Sequence, residues 1–335
     1  MAFDNIKLEK GLYTTGKSFS SALEALDPSE NYIGTALEGL DAYQRQLKRF
    51  DIKISGKGSD CIAKFFQTSD SAALFPEYVS RAVRQGMEKE NPLDKIVATT
   101  TVIDGLDYRA VGIDPSEDSL TPATVGEGAF IPETHIKLKE ELTALKKHGR
   151  MLVASYEAIK FQKLDLFTLV LAQIGRAIVD AQTNDAISVI YGSDEVPRSE
   201  KTSSGTKLNY TDLMLLWDML ERYPLTTVIC NKSEVRDLLN ISEFRDAAAG
   251  LNFHATGKMI TPFGAEIVTV DHAELQPDII GINNQYALEM VQAGGIVTDF
   301  DKLIDRQLER AAITATAGFS LIDSGATTIL KTVRS

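Results

Sequence analysis

The chain has 335 residues, of which 44% are hydrophobic and 24% charged, an ordinary composition for a folded protein and enough chain for two subdomains. Its formal net charge of −12 argues against a protein that wraps nucleic acid with a general basic face. The longest apolar runs, residues 166–172 and 213–217, are far shorter than the roughly 20 residues of a membrane-spanning helix. The first residues are polar and lack an apolar leader segment. We therefore expect a protein made in a cytoplasm, without a membrane partner.

Residues 1–74 combine many turn-forming residues with few long apolar runs, which predicts a polar N-terminal arm. The arm has few apolar side chains to bury among themselves, so we expect it to pack against residues outside the arm. One amphipathic helix is expected inside it, because apolar side chains recur there at near-helical spacing: Leu37, Leu40, Tyr43, Leu47 and Phe50.

A globular pattern begins after the arm, where Pro76 opens a predicted helix that Asn91 and Pro92 stop. The β-branched residues of 96–103 predict a strand. Residues 105–132 contain repeated Gly and Pro without a steady period, which indicates a loop or an extended arm. In the segment 134–140, apolar and charged side chains alternate, which predicts a strand with one charged face.

A long helix is predicted next. Ser155 is a good N-cap residue, residues 156–191 contain no Gly or Pro except Gly175, and Gly192 supplies the stop. The main run of roughly 28 residues spans about 42 Å at ~1.5 Å per residue, so it should support the whole fold. Its apolar positions cover about half of the circumference. That breadth predicts packing against a sheet on one side and another subunit on the other.

Helices and strands are mixed in the remainder of the chain. Residues 192–207 are polar and predict a loop, and residues 211–223 predict a helix. Asn231 with Glu234 resembles a capping box that opens a further helix. Strands are expected at residues 226–230, 265–270 and 278–282.

The C-terminal segment predicts a long β-hairpin. Apolar side chains alternate with small or polar ones through 313–321, a turn follows at 323–325, and residues 327–333 form the second strand. The acidic residues upstream of the hairpin are expected to decorate a surface turn: Asp299, Asp301 and Asp305.

The sequence lacks the common local motifs of catalytic, cofactor and metal sites. The four histidines lie far apart and form no H-E-x-x-H. Residues 56–59 (G-K-G-S) lack the spacing of a phosphate-binding loop, residues 126–128 (G-E-G) open no helix, and no G-x-S-x-G occurs. Cys61 and Cys230 lie in apolar contexts and are expected to be buried free thiols. We therefore predict a protein that is not an enzyme and binds no cofactor or metal.

The order of the predicted elements resembles the Hong Kong 97-type major capsid protein of tailed bacteriophages, over roughly residues 75–333. The segment 123–133 (A-T-V-G-E-G-A-F-I-P-E) is similar to the returning arm of that family's extended loop. The family's proline after the glycine of its later axial strand is missing here, after Gly264. Further segments resemble the strand into the spine helix, the helix end, the axial strand–Asn–helix, the next strand and the closing hairpin: 146–157, 180–192, 228–232, 261–268 and 311–331.

The resemblance implies an α+β chain with the Hong Kong 97-type phage capsid fold. An N-terminal arm would comprise residues 1–74, an extended loop residues 97–154 and an axial domain residues 206–301. A peripheral domain with the long spine helix would combine three segments: 75–96, 155–192 and 302–335.

The resemblance also implies a function and partners. The protein would be a major capsid protein whose copies form pentamers and hexamers of an icosahedral head around double-stranded DNA. The implied partners are other copies, a portal protein and packaged DNA through weak non-specific contacts. A separate scaffolding protein is expected, because the arm before Phe75 is too short for the helical assembly domain of some members. The protein would be assembled in the bacterial host cytoplasm and reside in the virion capsid.

The extended loop carries the predicted contacts between subunits. An irregular loop of this length buries little of its own surface, so it gains contacts across a subunit boundary. Its basic side chains are expected to face acidic residues of the next subunit, the alternative being a merely solvated charged strand. The predicted contact residues are Glu127, Glu133, Lys137, Lys139, Lys146, Lys147 and Arg150.

Two alternatives stay open. Within the same fold, an encapsulin, the shell of a bacterial nanocompartment, would bind cargo on its inner face, although the long N-terminal arm favours a phage. From another class, a cytosolic enzyme would carry a site outside the motifs searched, against which the long unburied loop argues. Neighbouring genes for a portal and terminase, or for a cargo enzyme, distinguish phage from encapsulin.

Overall fold

The computed structural model describes residues 2–8, 10–13, 18–113, 124–131, 136–201, 208–245, 259–272, 275 and 278–332. They form a mixed helix and sheet fold, which confirms the predicted α+β class. The helices are α1 (Phe19–Leu26), α2 (Ala42–Arg49), α3 (Ser69–Ala72), α4 (Phe75–Glu88), α5 (Tyr156–Phe161), α6 (Leu164–Gly192), α7 (Tyr210–Asp218), α8 (Lys232–Leu239) and α9 (Ser242–Arg245).

The strands follow the same chain order. They are β1 (Val97–Ile103), β2 (Val111–Ile113), β3 (Ile136–Leu138), β4 (Leu145–Ser155), β5 (Arg198–Glu200), β6 (Thr227–Asn231), β7 (Glu266–Val270), β8 (Ile279–Ile282), β9 (Leu288–Ala293), β10 (Val297–Leu303), β11 (Leu308–Leu321) and β12 (Thr327–Lys331). Short 3-10 helices occur at Ala2–Asn5, Lys10–Tyr13, Ser29–Tyr32, Ile62–Phe66, Pro92–Lys95, Ile304–Arg306 and Ser324–Ala326.

The chain divides into two compact units. The first unit contains Met1–Glu90, Gly149–Ile178 and Ile296–Ala315, and the second contains Asn91–His148, Val179–Gly295 and Thr316–Ser335. The boundary between the units therefore falls within β4, α6 and β11.

The core of the first unit is built by helices from distant parts of the sequence. Residues 1–74, the predicted arm, belong to this unit, and Phe19, Leu23 and Tyr43 are buried in its core. Arg45 is also buried, and its guanidinium pairs with the carboxylate of Asp27 at 2.6 Å. In this unit, β10 runs antiparallel to residues 308–314 of β11.

Helices α4 and α6 cross at backbone contact. A Cβ on Gly86 would lie 2.1 Å from the carbonyl oxygen of Ala172, and a Cβ on Gly175 would lie 2.1 Å from that of Val83. The hydroxyl of Tyr78 in α4 donates to the carbonyl oxygen of Leu164 at 2.8 Å. Glycine is therefore required on both helices, because any side chain at the crossing would force the two backbones apart.

The predicted long helix is confirmed in its main run and interrupted near its start. The Ser155 side chain accepts from the Ala158 amide as an N-cap should, but α5 ends after six residues. Gln162 is extended, and its carbonyl accepts from the Ile62 amide at 3.0 Å. The Leu164 amide donates to the Asp60 carbonyl at 2.9 Å. Hydrogen bonds to residues 60–62 thus replace helical ones before α6 continues for 29 residues.

The second unit contains a five-stranded sheet in the order β5-β12-β8-β6-β7. Strand β6 is buried along its whole length, runs parallel to β7 and antiparallel to β8, and packs with α7 and α8 in one core. Elsewhere in this unit β1 runs parallel to β9, and residues 317–321 of β11 run antiparallel to β9. The predicted strands at 96–103, 226–230, 265–270 and 278–282 are confirmed within a residue or two.

The predicted C-terminal hairpin is wrong. Strand β11 pairs with β9, β10 and β4, whereas β12 pairs with β8 and β5. The turn itself is present, because the Asp323 carboxylate accepts from the Gly325 amide at 2.8 Å. It leads into the 3-10 helix Ser324–Ala326, which sends β12 into a different sheet from β11.

Local predictions also differ at other points. Asn231 precedes α8 but makes no side-chain cap, because its amide group bonds instead to the backbone N–H and C=O of His272 at 3.0 and 2.9 Å. Asp299 and Asp301 lie on β10 rather than on a turn, and Asp301 pairs with Arg310 of β11. Strand β5 lies within the predicted loop at 192–207, where it pairs with β12.

Candidate assembly surface

The described part of the extended loop is organised around a narrow two-stranded ribbon. Strands β2 and β3 pair antiparallel, with Val111 opposite Leu138 and Ile113 opposite Ile136. Backbone hydrogen bonds continue the pairing toward the base of the ribbon. The amide of Lys139 donates to the carbonyl of Ala110 at 2.8 Å, and the amide of Thr143 to that of Tyr108 at 2.9 Å.

Large apolar side chains on this loop are left in solvent. Phe130 is 100% exposed, and Ile131, Ile136 and Leu138 are 74%, 71% and 64% exposed. Single exposed apolar side chains are common on protein surfaces, whereas a large contiguous apolar patch is typical of an interaction site. We call Phe130, Ile131, Ile136 and Leu138 the loop apolar surface.

The predicted basic contact residues divide into two groups. Lys139 donates to the carbonyl oxygen of Leu321 at 2.6 Å, and Lys146 pairs with Asp185 of α6 at 2.8 Å. The same carboxylate lies 2.5 Å from Nε2 of His148. These contacts fasten the returning arm of the loop to its own chain.

The second group points into solvent. Lys147 and Arg150 are exposed side chains, and Lys137 is exposed as well but also interacts within its own chain. Within the part of the chain that the structure describes, no carboxylate lies at ion-pair distance from Lys147 or Arg150. Exposed cations on an acidic protein are suited to meet negative charge on another molecule.

Of the two predicted acidic contact residues, the structure describes only Glu127. Glu127 is exposed in a turn in which Gly128 adopts a φ of +78° and the Ala129 amide donates to the Gly126 carbonyl at 3.1 Å. A left-handed φ of this kind favours glycine. Glu133 lies outside the described residues.

The outer face of α6 is a second exposed apolar surface. Leu164, Phe167 and Leu171 face the core of the first unit, whereas Leu166 and Leu169 are 55% and 59% exposed. The sequence predicts a sheet on one side of this helix and another subunit on the other. The structure places α4 against it, and the contact with another subunit stays a prediction. Asp185 could not be identified from the sequence, because a carboxylate that pairs with Lys146 and His148, almost forty positions away, carries no local signal.

The described residues contain no candidate metal centre. No group of three His, Cys, Asp or Glu side chains gathers among them in a way that would hold a metal ion. None of the helices that the structure describes is long and apolar enough to cross a membrane.

Comparisons with known proteins identify the family and the fold. A family model described as a phage capsid protein matches residues 139–320, more than half of the chain. No curated protein matches the chain significantly.

Solved structures match over most of the chain at low identity. A virus-like particle from Pyrococcus furiosus is 15% identical, with a TM-score of 0.51 over 76% of this chain and 98% of that one. The capsid of cyanophage P-SCSP1u is 12% identical, with a TM-score of 0.51 over 72% and 88%. The capsid of an empty GTA particle is 12% identical, with a TM-score of 0.51 over 72% and 89%. At these identities the likeness shows a shared fold.

Proposed function

Because the chain belongs to the phage capsid protein family, we propose that its copies form the pentamers and hexamers of an icosahedral head around a phage double-stranded DNA genome. The chain has the Hong Kong 97-type fold and is a major capsid protein, a structural subunit that assembles into shells. We propose further that a portal protein and a separate scaffolding protein take part in assembly in the host cytoplasm. Contact with the packaged DNA is proposed to be weak and non-specific.

The loop apolar surface is the observation that carries the proposed mode of assembly. A two-stranded ribbon is marginally stable by itself, and this one exposes its large side chains instead of burying them. Burying one such side chain on a neighbour stabilises the contact by roughly 1.5–3 kcal/mol. The same contact is repeated by every subunit of a shell, so modest contacts add up to a stable particle.

Charge supports the same arrangement. We propose that Glu127, Glu133, Lys137, Lys139, Lys146, Lys147 and Arg150 lie at the contact between the extended loop and the next subunit. Lys139 and Lys146 also hold the loop to its own chain, so Lys147 and Arg150 are the cations available to the neighbour. Charges at the rim of an interface mainly set the register and the rate of association.

The domain organisation implied by the resemblance is part of the proposal. An arm at 1–74, an extended loop at 97–154 and an axial domain at 206–301 would each have a separate place in the capsomer. The peripheral domain would combine 75–96, 155–192 and 302–335. The two compact units divide the chain differently, because they group residues by contacts within one copy and not by position in a shell.

Purification of the full chain, with sedimentation and negative-stain microscopy, tests the proposed function. Wild-type protein should form capsomers or closed particles, and a double variant, Lys147→Glu with Arg150→Glu, should reduce their yield at low salt. Lys57→Glu is the matched control, since Lys57 is exposed in a turn of the first unit. A wild-type chain that stays monomeric under all conditions would overturn the proposal. Unchanged particle yield in the double variant would overturn the role of the basic residues.

The contents of the particles distinguish the two kinds of shell. Heads purified from infected cells should contain double-stranded DNA. A shell that instead encloses an enzyme, without a portal, would assign the chain to encapsulins.

A further inference from the structure

We propose that Thr101, Tyr108 and Glu289 form a clamp at the base of the extended loop that sets the direction in which the ribbon leaves the sheet. We call these three residues the root clamp. The inference rests on the proposed function only in so far as the ribbon is the part that meets a neighbouring subunit.

The centre of the root clamp is a buried carboxylate. Glu289 lies on β9 and is 8% exposed. The hydroxyls of Thr101, on the paired strand β1, and of Tyr108 both donate to Oε1 of Glu289 at 2.6 Å. These are short hydrogen bonds to one carboxylate oxygen, and the bond to Glu289 raises the pKa of Tyr108.

Tyr108 connects the sheet to the ribbon. Its hydroxyl bonds to β9, while its carbonyl accepts from the Thr143 amide at 2.9 Å, the pairing nearest the base of the ribbon. Ala110 and Thr143 are buried beside it, whereas Val111 and Leu138 are already exposed. The described ribbon therefore loses its burial immediately beyond Ala110.

The returning arm of the loop is fixed at the same level. A Cβ on Gly318 of β11 would lie 2.6 Å from the carbonyl oxygen of Ala144, so the arm lies directly on the strand. The ammonium of Lys139 donates to the Leu321 carbonyl at the end of β11. Both arms are thus held at the base, and the clamp is the contact that determines where the outgoing arm turns.

Hydrogen exchange on the unassembled full-length protein tests the clamp directly. In Tyr108→Phe the amides of Lys139 and Thr143 should exchange about tenfold faster than in wild type, because one hydrogen bond to a charged group is lost. Tyr286→Phe is the matched control: its side chain is half exposed in the same unit, and its hydroxyl donates no hydrogen bond to the described residues. The control should exchange as wild type.

The conservative variant separates positioning from general stability. Glu289→Gln keeps an oxygen acceptor and should restore most of the slow exchange that Glu289→Ala loses. The midpoint of urea unfolding should be nearly the same for Tyr108→Phe and wild type, since the clamp orients the ribbon and is not the core. Particles of Tyr108→Phe should be fewer and irregular in size by negative stain.

The outcomes are distinct. Wild-type exchange rates in Tyr108→Phe would overturn the clamp, whatever the particles look like. Faster exchange together with regular particles at full yield would also overturn it, because the direction of the ribbon would then not depend on Tyr108. If the wild-type chain formed no particles at all, the proposed function would fail, and the exchange rates would still decide whether the clamp holds the ribbon.

Discussion

The crossing of α4 and α6 is closely packed, whereas the ribbon of β2 and β3 exposes its apolar side chains. At the crossing, backbone lies on backbone and Gly86 and Gly175 leave no space for a methyl group. On the ribbon, Ile136 and Leu138 project into solvent. Side-chain and backbone packing at the helix crossing stabilises a single copy of the chain. The apolar side chains of the ribbon can be buried only against another copy. A substitution should therefore affect either unfolding or assembly, according to the region it is in.

Gly175→Ala should produce the largest effect. The added methyl group meets the Val83 carbonyl oxygen at 2.1 Å, so the variant should lower the free energy of unfolding by about 3 kcal/mol. Gly192→Ala, at the open end of the same helix, is the control and should be close to neutral. Urea denaturation measures both. Equal stability of the two variants would show that the crossing is not tightly packed.

Ile136→Ser should have the converse effect. The free energy of unfolding of the single subunit should change by less than about 0.5 kcal/mol, because the side chain is already in water. The concentration required for assembly should rise about tenfold or more, as burial of the side chain on a neighbour is lost. Ile33→Ser, at 72% exposed in the first unit, is the matched control for sedimentation. The same assembly defect in both variants would contradict a specific role of the ribbon.

Leu169→Gln should have a smaller effect on assembly. Leu169 is 59% exposed on the outer face of α6, so a neighbouring subunit can bury only part of its side chain. We expect the free energy of association to weaken by about 1 kcal/mol per contact, and the free energy of unfolding of the single subunit to be unchanged. Met214→Gln on α7 is the control, at 46% exposed. If light scattering during assembly is identical for Leu169→Gln and wild type, this face of α6 is not a contact.

The smallest effect should be a pH dependence of the free energy of unfolding that arises from Asp60, a partly buried carboxylate. Burial acts to raise the pKa of Asp60, but hydrogen bonds from the Lys53 amide at 2.7 Å and the Lys64 ammonium at 3.1 Å lower it overall. A lowered pKa in the folded state stabilises the protein above the unfolded pKa of 3.8, and this contribution disappears as the pH falls through the folded value.

Asp60→Asn should therefore be less stable than wild type at pH 7, and the difference should narrow below about pH 4. Asp104→Asn, an exposed position after β1, is the control. Urea unfolding at the two pH values measures the change. A difference that stays constant with pH would mean that the charge of Asp60 is not the cause.

Elements with a strong local pattern could be predicted from the sequence. Helix α4 follows from Pro76 and the stop at Asn91 and Pro92, and α6 follows from its apolar spacing and Gly192. The break before α6 could not be predicted, because it depends on hydrogen bonds to residues 60–62.

Strand partners were not predictable, because alternation indicates a strand but not its neighbour. The sequence correctly predicts strands within 313–321 and 327–333, but the prediction that they pair with each other is wrong. The contact partners of the loop lysines could not be predicted from the sequence either. Lys146 and Lys139 were recognised as basic and exposed by sequence, but their partners Asp185 and Leu321 became apparent only in the fold.

Each unit contains one cysteine. The prediction of a buried thiol is wrong for Cys61, which lies in the first unit and is only half buried near the carbonyl oxygen of Phe161. It is confirmed for Cys230, which is buried in the sheet of the second unit, and burial raises the pKa of its thiol. Thiol reagents attack the exposed thiolate, so Cys230 should be alkylated only when its sheet opens. Mass spectrometry of the two thiols over time would therefore report the opening of the second unit through Cys230, with the partly exposed Cys61 as an internal reference, in free subunits and in intact particles.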